Sequence, residues 1–193
     1  MAKAKTVDTW KTKQWYTVNA PELFEGKQVA QLVSTEDALL MNRIVRVALS
    51  DLSGDMSHAY TMLDFRITDV RGKSAFTKFI GHELSKSYLR TLIRRRRHVI
   101  GEVVDAATKD GQGVRIKISA FTGTKISTPL RSVIRNALHA EVLAAAKETD
   151  FPAFVQDILF GRLSSRLFNK VKKMAPIRRI EIRKSELKES FAA

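Results

Sequence analysis

Cysteine is absent from the 193 residues. Disulfides, thiolate metal sites and cysteine nucleophiles are excluded together, and a reducing compartment is compatible with the chain. No apolar run approaches the roughly 18 residues of a membrane-spanning helix. The opening Met1-Ala2-Lys3-Ala4-Lys5 leads into polar residues, so a signal-peptide core is missing as well. A cytoplasmic protein is expected. The chain has no internal repeat, heptad run or low-complexity linker. Acidic side chains are scarce too: 20 Asp and Glu face 34 Lys and Arg, a formal charge of +14.

A chain so basic repels itself unless an acidic partner neutralises it, and nucleic acid is the usual partner. Hydrophobic residues make up 44%, which suits a folded domain rather than a disordered basic tail. The charge is unevenly placed. Residues 1–80 carry 11 basic and 9 acidic side chains; residues 81–193 carry 23 and 11. The later part should hold most of the electropositive surface.

Enzymatic signals are poor. His58, His82, His98 and His139 lack metal-ligand spacing. Gly111-Gln112-Gly113 lacks the Lys-Ser/Thr of a phosphate loop. No serine sits in a nucleophile elbow. Asp64 and Asp69 lie five apart on one predicted strand and so point to opposite faces, which suits surface carboxylates better than a metal pair.

Hydrophobic periodicity places strands early and helices late. Val45, Val47 and Leu49 alternate with polar or small residues, as do Leu63, Phe65 and Ile67. Gly72 supplies a turn, and Phe76 to Ile80 returns. Ser85 is a cap for a short helix carrying Tyr88, Leu89, Leu92 and Ile93. His98 to Thr108 reads as a strand, and Asp110-Gly111 as a hairpin turn. Val114, Ile116, Ile118 and Ala120 then put an apolar face opposite Arg115 and Lys117. Thr128 supplies a capping hydroxyl before Pro129, which opens a helix to about Glu148, with Ile134, Leu138 and Val142 beside Val133, Ala137 and Ala145. Asp150 opens a second helix with Phe151, Phe154, Val155, Ile158 and Leu159, which Gly161 ends. A third, Arg162 to Lys173, carries Leu163, Leu167, Phe168 and Val171 and stops at Pro176. Ile177 to Arg183 is a closing strand, and Ser185 to Ala193 a frayed tail.

This order argues for an α+β fold. The expected core is a curled antiparallel-rich sheet or small β-barrel-like core, with C-terminal helices packed beside it. The expected division is a basic arm at 1–14, one globular RNA-binding domain at 15–185, and a tail at 186–193.

The basic clusters are the candidate contacts. Arg94, Arg95, Arg96 and Arg97 stand where a helix passes into a strand. If extended, they alternate between two faces, with Glu102 and Asp105 as available partners. Arg131, Arg135 and His139 form a stripe along one helix. Arg115 and Lys117 share a strand face. Lys170, Lys172, Lys173, Arg178 and Arg179 flank Pro176, with Arg183 and Lys184 beyond. Aromatic residues are sparse, which makes Trp10-Lys11-Thr12-Lys13-Gln14-Trp15-Tyr16 stand out. Lys11, Lys13 and Trp15 are candidates for gripping phosphates and stacking on bases. Tyr16 reads as a core anchor; Trp10 and Trp15 stay open between stacking and anchoring.

The run Trp15-Tyr16-Thr17-Val18-Asn19-Ala20-Pro21-Glu22-Leu23-Phe24 resembles the opening of a small-ribosomal-subunit protein family shared by archaea and eukaryotes, S-three-A-e or e-S-one. The likeness continues at Thr68 to Lys73, at Phe79-Ile80-Gly81, at Thr108 to Gly111 and into the helix after Pro129. It covers about residues 10 to 188. Val29 is followed by Ala30 where the family often has Gly. The chain stops at Ala193 without the long eukaryotic tail, so it resembles the archaeal form. The resemblance implies a non-catalytic protein of the small subunit's platform, near the mRNA exit. It also implies partners: small-subunit rRNA, neighbouring ribosomal proteins and, as a further candidate, mRNA. The family's fold is similar to a β-barrel-like sheet with helices beside it. Trp15, Tyr16, Ala20, Pro21 and Phe24 match its N-terminal element.

The expected function is therefore structural rRNA binding, without cofactor, metal, membrane or small-molecule substrate. The alternatives are a free nucleic-acid-binding regulator, or a metal-dependent RNA-processing enzyme using Asp64, Asp69 or Glu102.

Overall fold

The computed structural model describes residues 10–189. The chain divides into two compact units, an N-terminal unit of residues 1–59 and 63–80 and a C-terminal unit of residues 60–62 and 81–193. The described residues form eight strands and five α-helices, an α+β fold with the helices mostly late.

The N-terminal unit is built on β1 (Gln14–Asn19), β2 (Gln28–Ser34), β3 (Ile44–Ala48), α1 (Leu49–Ser53), most of β4 (Thr61–Arg71) and the first part of β5 (Ser74–Leu84). Its strands pair in the order β2-β1-β5-β4-β3, an open path. β1 runs antiparallel to β2 but parallel to β5, through Thr17–Asn19 against Ser74–Phe76. Strand alternation explains the core. Leu63, Phe65 and Ile67 point inward and are completely buried, while Asp64 and Arg66 face outward. Phe24 packs edge-on to Phe65 at 5.5 Å between ring centroids and tilts against Phe79 at 6.4 Å. The β4–β5 turn needs a left-handed residue, and Gly72 adopts φ 61° there.

The C-terminal unit adds α2 (Lys86–Leu92), β6 (Val99–Ala107), β7 (Gly113–Thr122), α3 (Thr128–Glu148), α4 (Phe151–Leu159), α5 (Arg162–Val171) and β8 (Ile177–Leu187). Its strands run β5-β8-β7-β6, with antiparallel neighbours. α3 packs on β6 and α5 on β8, with α4 against both helices. Ile100, Val104, Ile116, Ile118, Ile180 and Ile182 are buried, as are Ile134, Leu138, Leu163 and Leu167 of the helices. All five apolar residues expected on α4 are buried.

β5 and β8 approach closely. A Cβ on Gly81 would lie 2.2 Å from the Ser185 carbonyl oxygen, so only glycine fits. The next residue, His82, is buried. Its Nε2 lies 3.1 Å from the Ile182 carbonyl and its Nδ1 2.6 Å from Ser185 Oγ. A carbonyl only accepts, so Nε2 carries a proton and donates to it.

Several local expectations change. Leu49 starts α1 instead of ending β3. Ser127, not Thr128, holds the N-cap position of α3, with no side-chain cap bond. Val133 is exposed, α2 buries none of its residues, and α5 ends at Val171. β8 extends through Leu187, so Ser185 is a strand residue because pairing with β5 and β7 outlasts the apolar alternation. Ala30, in place of the family's frequent glycine, sits within β2 opposite Val18, where no turn is needed. Residues 1–9 of the expected arm and 190–193 of the expected tail lie outside the described residues.

Candidate nucleic-acid interface

Tertiary structure sorts the basic residues into two classes. The first class is already neutralised. In the β6–β7 register Asp105 faces Arg115 on the strand face away from the buried isoleucines. Arg115 donates to it through Nε at 2.7 Å and Nη2 at 2.9 Å, and Lys188 adds Nζ at 2.9 Å. Arg115 first, and Lys188 with it, hold the Asp105 carboxyl well below the usual carboxylate range. Asp105 was an expected partner of the Arg94–Arg97 run; its neighbour across the strand pair takes it instead. Glu186 accepts from Lys184 at 2.6 Å and Lys117 at 3.2 Å, and these contacts lower its pKa. Arg179 pairs with Glu181, which also accepts from Tyr88 Oη at 3.0 Å. Tyr88 stacks on Tyr60 at 3.9 Å, and burial first, then Glu181, pushes its hydroxyl pKa up.

A second neutralised group ties α5 to α3. Glu141 is buried and accepts from Arg166 Nε at 2.6 Å and from Lys170 Nζ. Arg166 reaches Glu148 at 2.9 Å as well. Lys170, ahead of Arg166, lowers the Glu141 pKa against the opposing effect of burial. Half-exposed ion pairs of this kind stabilise by only about 0–1 kcal/mol each. Four expected contact residues, Arg115, Lys117, Lys170 and Arg179, are thus compensated within the fold.

The second class has no acidic partner among the described residues. Arg94, Arg95 and Arg96 are exposed in the connection between α2 and β6. This segment is a turn, with Arg96 at φ 60°, so the alternation between two faces that an extended run would give does not occur. Arg131, Arg135, Lys172, Lys173 and Arg178 belong to this class too; Lys172 lies 5.8 Å from the Phe168 ring. So do Lys125, Lys86 and Arg90, which lie outside the basic runs of the sequence. Each stands alone between uncharged neighbours, so nothing in the local sequence marked it.

The Arg94–Arg97 turn and the start of α3 are brought together. The His98 main chain and Thr122 exchange hydrogen bonds, and His98 Nδ1 accepts from the Ile126 amide at 3.2 Å. Ile126 follows Lys125 and stands two residues before α3. Arg131 donates to Thr128 Oγ1 at 2.7 Å. Arg97 Nη1 and Arg131 Nε are buried without a hydrogen-bond partner. An orphaned donor of this kind costs about 1–3 kcal/mol, and most structures avoid it.

The N-terminal candidates behave differently from one another. Tyr16 is 4% exposed and donates to Asp37 at 2.5 Å, the anchor expected of it. Trp10 and Trp15 remain 65% and 63% exposed, and Lys13 Nζ lies 4.1 Å from the Trp10 ring. Of the carboxylates weighed for metal chemistry, Asp64 is engaged by Arg46 at 2.7 and 3.0 Å and Asp69 by Arg71 at 2.7 Å. Among the described residues no three His, Asp or Glu side chains converge as a metal site, and no helix is long and apolar enough to cross a membrane.

The family model described as Ribosomal S3Ae matches residues 1–190. The chain belongs to the ribosomal S3Ae family. It is 40% identical over 187 residues to small ribosomal subunit protein eS1 of Sulfurisphaera tokodaii, covering 96% of both chains. It is 37% identical over 190 residues to eS1 of Methanococcus vannielii, covering 97% of this chain and 86% of that one. It is 37% identical over 187 residues to eS1 of Saccharolobus islandicus, covering 96% and 90%. The S3Ae proteins are structural components, so this member is not an enzyme. Its opening motif is largely a packing element: Tyr16, Val18 and Ala20 are buried, and Phe24 sits against Phe65 and Phe79.

Proposed function

We propose that this S3Ae member is a structural protein of the cytoplasmic small ribosomal subunit and binds small-subunit rRNA during translation. Its place is the platform near the mRNA exit, beside other ribosomal proteins and within reach of mRNA. Family membership supports the ribosomal role, and the eS1 relatives carry it in their names. The single observation that carries RNA binding is the set of basic side chains on the C-terminal unit without an acidic partner among the described residues.

In this reading residues 15–185 supply the rRNA-binding body. Arg94–Arg97, Arg131, Arg135, Lys172, Lys173 and Arg178 face phosphate, with Lys11, Lys13 and Trp15 as an N-terminal contact. The compensated Arg115, Lys117, Lys170 and Arg179 contribute less, since each must leave a carboxylate to reach RNA. Recognition is of backbone and shape, because cations without a base-reading geometry position a protein rather than specify sequence.

Two measurements test the reading. The protein should sediment with small subunits through a high-salt wash; a mainly free pool would favour a regulator. Its affinity for transcribed archaeal small-subunit rRNA should fall roughly 10³–10⁵-fold between 50 and 200 mM salt if six to ten phosphates are contacted. A flat response sinks the electrostatic mechanism.

A further inference from the structure

We propose that Arg94–Arg97, Lys125, Arg131 and Arg135 form one phosphate-binding surface that grips neighbouring phosphodiesters of folded RNA. The salt-bridged cations of the strand face contribute less. The inference rests on the rRNA-binding reading and assigns its principal contact.

Four observations converge on this place. The first is proximity: the His98–Ile126 hydrogen bond joins the residue after Arg97 to the residue after Lys125. Arg131 then follows in the first turns of α3, with its amide on the Ser127 carbonyl, and Arg135 stands one turn further along the same helix face. The second is the lack of compensation, since none of these seven side chains has an acidic partner among the described residues. Glu102 forms no ion pair with them, and Asp105 is occupied by Arg115 and Lys188. The third is the pair of orphaned nitrogens, Arg97 Nη1 and Arg131 Nε. Among the described residues these are the buried side-chain donors left unsatisfied, and both belong to this cluster. A guanidinium that gives up so poor a setting and turns to a phosphate gains its missing acceptor. The fourth is chemical: a planar guanidinium presents parallel donors that match two phosphate oxygens, and six of the seven residues are arginine.

Phosphates of one RNA strand repeat at a few ångströms, so a compact group of arginines suits consecutive phosphodiesters better than an isolated anion. The strand face offers the opposite case. Its cations already donate to carboxylates, and RNA would have to displace those before gaining anything.

The test uses the full-length protein and transcribed archaeal small-subunit rRNA, titrated between 50 and 200 mM salt. One variant combines Arg94→Gln, Arg95→Gln, Arg131→Gln and Arg135→Gln. A control of equal charge combines Lys27→Gln, Arg71→Gln, Lys109→Gln and Arg162→Gln, all exposed cations with an acidic neighbour. The cluster variant should bind at least about 100-fold more weakly at 100 mM salt. Its log–log salt slope should shrink by roughly 3, at about 0.7–0.9 per lost phosphate contact. The control should stay within about fivefold. Equal losses in the two variants overturn the assignment while leaving rRNA binding intact. A wild-type protein with a flat salt response overturns the rRNA reading and this assignment together. If the fourfold variant loses its fold, Arg95→Glu with Arg135→Glu gives the same comparison from two exposed side chains. A loss below about threefold there overturns the proposal.

Discussion

The N-terminal unit is nearly neutral and the C-terminal unit is not. The three residues exchanged between them, Tyr60 to Met62, carry no charge, so the sequence counts on either side of residue 80 pass directly to the units. Eleven basic and nine acidic side chains serve the first, and 23 and 11 the second. A unit with balanced charge can satisfy its cations from its own carboxylates, as Arg46 does with Asp64 and Arg71 with Asp69. A unit with twice as many cations as anions cannot. It spends its carboxylates on the strand face and on the α3–α5 contact, and the surplus collects elsewhere, at the Arg94–Arg97 turn, along α3 and around Pro176. What identifies the family in sequence is mostly packing in the neutral unit; what RNA would feel is the remainder in the basic one.

This contrast can be broken from either side. Phe65→Ala empties the aromatic core of the N-terminal unit and should cost about 3–5 kcal/mol in denaturant unfolding. Binding to rRNA by the protein that stays folded should keep its salt slope; a changed slope would show that the neutral unit also supplies phosphate contacts. Gly81→Ala drives a methyl group into the Ser185 backbone and should cost about 1–3 kcal/mol. Loss of slow amide exchange along β8 is the accompanying readout, and an unperturbed β8 would refute the close approach.

Glu141→Gln tests compensation within the basic unit. Both partner cations are about half exposed, so the loss should be modest, about 1 kcal/mol. The pH dependence has a definite sign. Lys170 and Arg166 lower the Glu141 pKa in the folded protein. Its contribution is therefore complete above the ordinary glutamate range, near pH 4.3, and is lost as pH falls through the lower folded value. The stability gap between wild type and Glu141→Gln should narrow below about pH 4, and a gap constant to pH 2 would remove the ion pair as its cause. Asp105→Asn should have the smallest effect. It frees Arg115 and Lys188 and should raise rRNA affinity about two- to fivefold. Unchanged affinity would mean that the strand face lies away from RNA altogether.

Much of the fold could be read from periodicity. β4, β7 and α4 were legible because each buries one uninterrupted stripe, and Leu63-Phe65-Ile67 or Phe151 to Leu159 state that stripe without competition. The errors fall where local pattern and long-range pairing disagree. Ser185 looked like tail because it is polar, yet it is buried by Gly81 and His82, more than a hundred residues earlier. Ile93 and Val133 looked like core because they are apolar, yet each stays about half exposed. Arg94–Arg97 stands where a helix passes into a strand, which left an extended run and a bend both open, and the backbone turns at Arg96. The candidate contacts were legible as a population and not as individuals. Arg115 and Arg135 carry the same charge and comparable local context, but one faces Asp105 across a strand pair and the other pairs with no carboxylate among the described residues.

The sequence by itself determined the sign and size of the charge, its concentration after residue 80, the α+β class and the family. Each is a sum over residue types or a short-range pattern, insensitive to which distant groups meet. Only the tertiary structure decided which cations are spent on the protein's own carboxylates and which are left over. An ion pair depends on a separation of a few ångströms between residues that strand register and helix packing bring together. The Arg115–Asp105 pair is set by the β6–β7 register, and the Glu141–Arg166–Lys170 group by α5 lying on α3. The surplus that begins as a number in the composition thus becomes a surface only once these pairs have formed.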